Sequence, residues 1–145
     1  MQILALIPAR MGSSRFPGKP MTNIMDKPMI GHVYDNVKKT QLLFELAVAT
    51  CDEEIYNYIE SIGGRAVMTS NKHERASDRC AEALLIIEQE DNIKFDIVVM
   101  VQGDEPMIHP DMISEAVSPM LDDSKILITN LLGKIESKEE FEDRN

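Results

Sequence analysis

Four short apolar runs constrain the fold: residues 2–7 (QILALI), Glu45–Thr50 (ELAVAT), Arg65–Met68 (RAVM) and residues 96–101 (DIVVMV). Runs of this length, rich in Val, Ile and Leu and bounded by turn signals, are strands covered on both faces. The segments between them have helical spacing. After Pro28, Met29, Val33 and Val37 recur every fourth residue with Ile30 and Tyr34 beside them, which predicts a helix to about Thr40. Asp52 is placed to cap a second helix with Ile55, Tyr58, Ile59 and Ile62 on its inner face, stopped by Gly63 and Gly64. Ser77 is placed to cap a third, packing Cys80, Ala81, Leu84 and Ile87. Pro110 opens a fourth with Ile113, Ala116, Val117 and Met120 inward, and residues 126–131 read as a fifth strand. Strands that alternate with helices pair in parallel through crossovers, so the expected fold is a three-layer α/β domain, a mostly parallel sheet with helices on both faces.

The length of 145 residues suits one domain, residues 1–145, with no internal linker. The apolar stretches are too short to span a membrane, and the start of the chain has no signal-peptide pattern, so a cytoplasmic protein is expected. Cys51 and Cys80 lack metal-ligand spacing and are read as reduced and at least half buried. Met29, Met112 and Met120 fall at or beside core positions. Ser137 and Glu140 form a capping box within an acidic run, with Phe141 to bury.

The net charge of −10 argues against a nucleic-acid binder, which needs a basic surface. Its distribution says more. Residues 1–25 contain Arg10, Arg15 and Lys19 and no acid, so a small basic region sits in an otherwise acidic chain. That suits one compact anionic ligand.

In parallel α/β sheets ligands bind beyond the carboxyl ends of the strands, and two loops occupy such places. The first is residues 8–20, PARMGSSRFPGKP. Its glycines and serines let backbone N–H groups approach phosphate oxygens, while two arginines and a lysine supply charge-assisted bonds. It is not a Walker A loop, because five residues separate Gly12 from Gly18 and Pro20 follows Lys19. The plain alternative is a solvated basic turn. The second loop, Gln102-Gly103-Asp104-Glu105-Pro106, follows the most apolar strand. Asp104 is a candidate ligand for Mg²⁺, which takes one or two carboxylates together with substrate phosphates; the alternative is a Gly-Asp turn with a solvated carboxylate. His73 and His109 flank these loops and are candidate donors, whereas His32 lies inside a helix repeat and suits a surface or capping role.

With IPARMGSSRFPGKP, KPMIGHVY, VAT, GGRAVMTS, the SDR of HERASDR, and VQGDEPMIHP in this order, the sequence resembles the CMP-Kdo synthetase family across nearly its whole length. The resemblance implies transfer of CMP from CTP to an acidic sugar, 3-deoxy-manno-octulosonate, with pyrophosphate released, for lipopolysaccharide or other bacterial surface polysaccharide. It implies that Arg10, Ser13, Ser14, Arg15 and Lys19 hold the triphosphate and that Ala9 and Arg10 lie near the cytosine. Ser70, Arg79, Gln102 and Gly103 would complete the nucleotide pocket, Gln102 would also face the sugar acid, and Asp104 would bind Mg²⁺. Arg10, Lys19 and Asp104 would carry the catalysis. The same resemblance implies a homodimer in full-length members.

Two positions depart from the family pattern. Arg75-Ala76 stands where Ser-Gly is common, and Cys51 stands where Asp is usual. Full-length members also continue into a region that supplies most sugar-binding residues and a second metal aspartate. Residues 1–145 alone are therefore expected to bind CTP weakly and turn over little. The open alternatives are activation of another sugar acid, a nonulosonate or amino-octulosonate, or a non-catalytic CTP-binding unit.

Overall fold

The apolar run near the amino terminus becomes an inner strand, because there neighbouring strands fill both of its edges and helices cover both of its faces. In the computed structural model, which describes residues 1–12 and 15–133, β1 (Ile3–Ala9) is buried at every position. It is followed by a single 3₁₀ turn (Lys19–Met21), the short hairpin strands β2 (Asn23–Ile24) and β3 (Lys27–Pro28), α1 (Met29–Lys38), β4 (Glu45–Thr50) and α2 (Glu53–Ser61). Then come β5 (Arg65–Met68), α3 (Ala76–Asp91), β6 (Ile97–Met100) and α4 (Pro110–Asp122).

The main sheet has the order β5-β4-β1-β6, and its three pairings are all parallel. The chain winds outward from β1 through β4 to β5, then returns to place β6 on the other side of β1. The strand order therefore reverses between β1 and β6, where Leu6 is in register with Met100. A crevice at the carboxyl ends of these two strands follows from that reversal.

Both faces are covered, as the alternation of elements requires. On one, Ala5, Ile7 and Val48 pack with Ile30, Val33 and Val37 of α1, Ile55 and Ile59 of α2, and Ile113 and Val117 of α4. On the other, Leu4, Leu6, Ala47 and Ala49 pack against Cys80, Ala83 and Ile87 of α3. Gly63 ends α2 with φ at 75°, a conformation glycine adopts without a Cβ penalty. Cys51 is half buried, Cys80 buried, and both are free thiols.

Several sequence expectations need correction. Residues 126–131 form no strand: the segment runs past α4, where Thr129 Oγ1 donates to Ala116 O at 2.6 Å, and Leu127 and Ile128 face solvent. An apolar run becomes a strand only when a sheet edge accepts its backbone. Nor is the run at 96–101 covered on both faces. It forms an edge strand of the described sheet, with Ile97 buried and Val98 and Met100 exposed. β1 continues through Pro8 to Ala9, beyond its last pairing with β6, where β4 is its strand partner and the loop after β6 lies against its other side.

Ser77 does not cap α3, whose cap position is Arg75, two residues earlier, and Ala81 is exposed while Ala83 takes the core position. Ile62 lies past the end of α2 and is 38% exposed, and Met112 is exposed while Met29 is buried. The Ser137–Glu140 box with Phe141, and Ser13 and Ser14 of the first loop, lie outside the described residues.

Candidate functional site

The crevice predicted by the strand order is a cavity of about 720 Å³. One wall is the loop after β1, the floor is the loop after β6, and the opposite wall is the segment leading into α3. Ala9, Arg10, Arg15, Lys19, Arg79, Gln102, Gly103 and Asp104 all line it. Ser70 does not: its amide donates to Glu82 Oε2 at 3.0 Å, and its hydroxyl accepts from the Lys72 amide at 3.1 Å.

The first wall gets its shape from backbone bonds. Gly18 N donates to Met11 O at 2.8 Å, closing the loop on itself, and Gly18 holds φ at 74°, which favours glycine. Arg10 and Arg15 are exposed on the resulting surface. Lys19 sits in the 3₁₀ turn and reaches across the crevice to Asp104, with Nζ to Oδ2 at 3.3 Å. Both side chains remain about half exposed, so the contact is a weak surface pair that a ligand can displace.

The floor depends on Gly103. A Cβ there would stand 2.7 Å from the carbonyl oxygen of Pro8, so only glycine lets the β6 loop close onto the end of β1. That approach sets Asp104 opposite Lys19.

The second wall is built around Arg79. Its residue is 3% exposed, and its guanidinium donates to Thr69 Oγ1 at 2.5 Å, Ser70 O at 3.3 Å and His73 O at 3.5 Å. These acceptors are neutral, so the buried positive charge borders the cavity without a described carboxylate in ion-pair contact. A buried guanidinium of this kind favours an anion placed beside it. His73 also lines the cavity, and its Nε2 contacts Glu82 Oε2. The Ser70 amide, and then the His73 ring, hold the Glu82 carboxyl below its ordinary range.

Arg75 faces the cavity from the start of α3, as do Glu74 and Ala76. His109 does not line it. That ring caps α4, accepting from the Asp111 amide at 3.2 Å, and His32 Nε2 contacts Ile24 O at 2.7 Å to fasten the hairpin. Glu82, and Phe16 of the cavity lining, carry no signal that singles them out in the sequence. Glu82 lies in no motif, and only the fold brings its carboxylate under the 70–73 loop.

A doubly wound parallel sheet with a basic, glycine-shaped crevice at its strand switch defines a phosphate-binding α/β domain, of the kind that handles nucleotides. A family model described as cytidylyltransferase matches residues 4–145, and the chain belongs to that family of nucleotidyltransferases.

The chain is 46% identical over 141 residues to the 3-deoxy-manno-octulosonate cytidylyltransferase of Geotalea daltonii, covering 97% of this chain and 53% of that protein. It is 41% identical to the enzyme of the same name from Thermodesulfovibrio yellowstonii, covering 97% and 56%. Among solved structures, CMP:2-keto-3-deoxy-manno-octonic acid synthetase complexed with CTP superposes with a TM-score of 0.76 at 39% identity, over 87% of this chain and 50% of that one. A 4-diphosphocytidyl-2C-methyl-D-erythritol synthase shares the fold at 12% identity, with a TM-score of 0.68 over 94% and 65% of the two chains. The chain spans about half the length of the curated relatives it matches.

Proposed function

We propose that this chain supplies the nucleotide site of a cytidylyltransferase that transfers CMP from CTP to 3-deoxy-manno-octulosonate, with release of pyrophosphate. The reaction would serve lipopolysaccharide or related surface polysaccharide synthesis, in the cytoplasm. The observation that carries this reading is the Lys19–Asp104 pair, 3.3 Å apart, bridging the carboxyl ends of β1 and β6. A cation and a carboxylate facing one another across this crevice suit a metal–triphosphate ligand, the lysine taking phosphate oxygens and the carboxylate the metal. The relatives' names add the cytosine and the sugar acid.

The donor set fits Mg²⁺. Asp104 offers one accessible carboxylate, and among the described residues no group of three or more His, Cys, Asp or Glu converges as a closed metal cage would need. Bound there, Mg²⁺ would polarise the phosphate oxygens and offset their charge. Arg10, Arg15 and Lys19, with Ser13 and Ser14 of the same loop, hold the triphosphate, while Ala9 and Arg10 lie beside the base.

Arg79, Gln102 and Gly103 close the pocket, and Gln102 also faces the sugar acid. Ser70 contributes through the wall it shares with Glu82. The sugar's anomeric hydroxyl oxygen bonds to the α-phosphorus and gives up its proton to solvent as the bond from the α-phosphorus to the oxygen bridging it to the β-phosphorus breaks, and pyrophosphate leaves. Lys19 and the arginines stabilise the charge that builds on the transferring and leaving phosphates.

Calorimetric titration of this chain with CTP and UTP, with and without Mg²⁺, tests the site. Preference for CTP and loss of the Mg²⁺ dependence in Asp104→Asn are expected; equal binding of both nucleotides, or an unchanged metal response, would refute the assignment. Pyrophosphate release with 3-deoxy-manno-octulosonate, in a protein of the relatives' full length carrying this stretch, tests the transfer. Release driven better by another sugar acid would overturn the named substrate.

A further inference from the structure

Asp52 stands at the start of α2, where aspartate is a favoured helix cap, yet its side chain makes no bond to the helix. Its Oδ2 instead accepts from the Met11 amide at 2.8 Å, reaching a residue 41 positions earlier in the chain. The Cys51 thiol donates to the same oxygen at 3.6 Å, and the Asp52 amide donates to Thr50 Oγ1 at 3.1 Å. The second bond ties the aspartate's backbone to the end of β4. Met11 is held from the other side as well, since its carbonyl accepts from Gly18 N at 2.8 Å. Both backbone polar groups of this loop residue are therefore taken, one by the end of β4 and the other by the far side of its own loop.

Electrostatics makes this arrangement informative. A carboxylate at the base of an anion-binding loop repels a bound phosphate, so its charge alone lowers affinity. Its benefit to the loop must come from the acceptor geometry. A neutral residue with an oxygen in the same place should then serve at least as well.

We propose that Asp52 is a positioning residue that fixes the loop around Arg10, Arg15 and Lys19 in its ligand-binding shape, acting through the Met11 amide without touching the ligand. The proposal rests on the reading of this loop as a triphosphate site. The Cys51 thiol supports the clamp as a neutral donor, orienting the carboxylate without adding a charge.

Two substitutions separate geometry from charge. Asp52→Asn keeps an acceptor oxygen and removes the charge. Asp52→Ser preserves a good cap for α2, so the fold is retained, but its hydroxyl is too short to replace the bond to Met11. Affinity for CTP with Mg²⁺ is measured by calorimetry, and exchange of the Met11 amide by ¹⁵N NMR.

Asp52→Ser is expected to weaken CTP binding by about tenfold and to speed Met11 exchange by a similar factor, the scale of one lost hydrogen bond. Asp52→Asn is expected to bind CTP as well as the native chain or better. Unchanged Met11 exchange in Asp52→Ser, or equal weakening in both variants, would overturn the proposal. Failure of the native chain to bind CTP would instead count against the nucleotide reading, and the Met11 amide alone would still decide the clamp.

Discussion

The two walls of the crevice carry similar charge in opposite ways. On the wall after β1, Arg10 and Arg15 are exposed and Lys19 makes one weak pair with Asp104, so its charge is available to a ligand. On the wall before α3, Arg79 is buried, and its guanidinium is occupied by Thr69, Ser70 and His73. The cations of the first wall are therefore placed to exchange partners and Arg79 to keep its own, although Arg75 beside it on the second wall is exposed. A cation's place in a sequence motif does not distinguish these roles; its burial and its acceptors do.

The sharpest way to break this contrast is Arg79→Ala. Removing a buried guanidinium leaves three acceptors without their donor, so stability should fall by about 3 kcal/mol. The melting temperature should drop by about 6–12 °C, and CTP affinity should fall with it. A variant with native melting behaviour would erase the distinction.

Lys19→Ala should do the reverse. CTP binding measured by calorimetry should weaken by roughly 10- to 100-fold, as expected for a lost charge-assisted contact, while the melting temperature moves by no more than about 1 °C.

Gly103→Ala tests the floor that holds the walls in register. The added Cβ meets the Pro8 carbonyl, and the forced backbone shift should cost about 1–3 kcal/mol in chemical denaturation.

The smallest effect belongs to Glu82→Gln. The native carboxyl is held below its ordinary value of 4.5, so it favours the folded state above that value and ceases to do so as the pH falls through its lowered value. The variant should show a flatter acid limb below about pH 4.5 in thermal melts. An acid limb as steep as the native one would remove Glu82 from the wall's support.

Much of the architecture was legible because it follows from local pattern. The runs at 45–50 and 65–68, the glycine stop at 63, and the amphipathic spacing of α1 each report on a few neighbouring residues. The failures came where a distant partner decides. Residues 126–131 have a strand's composition but do not pair with the open edge of β6, and the edge position of β6 cannot be read from DIVVMV, whose apolar character is the same on either face. For the site, both loops and most of their cavity-lining residues were legible, since glycines and cations clustered after strands carry a chemical meaning. The sequence reads Asp52 as a helix cap, because that is its local option. Its bond to Met11 depends on β4 lying beside β1, as the clustering of Glu82 with His73 depends on α3 folding back over the 70–73 loop.

The position of β1 also has a consequence for synthesis. This strand is made before β4 and β6, is apolar on both faces, and pairs on one side with β6; just before both strands the Gln2 amide donates to the Asp96 carboxylate across 94 positions. At ordinary elongation rates of about 5–20 residues per second, that side of β1 waits roughly 5–20 s for its neighbour. During that interval a growing chain presents an unpaired apolar edge, the form of strand most open to wrong partners. The strand reversal that creates the crevice therefore also makes the nascent chain dependent on timing, and slowing translation between β1 and β6 should lower its soluble yield.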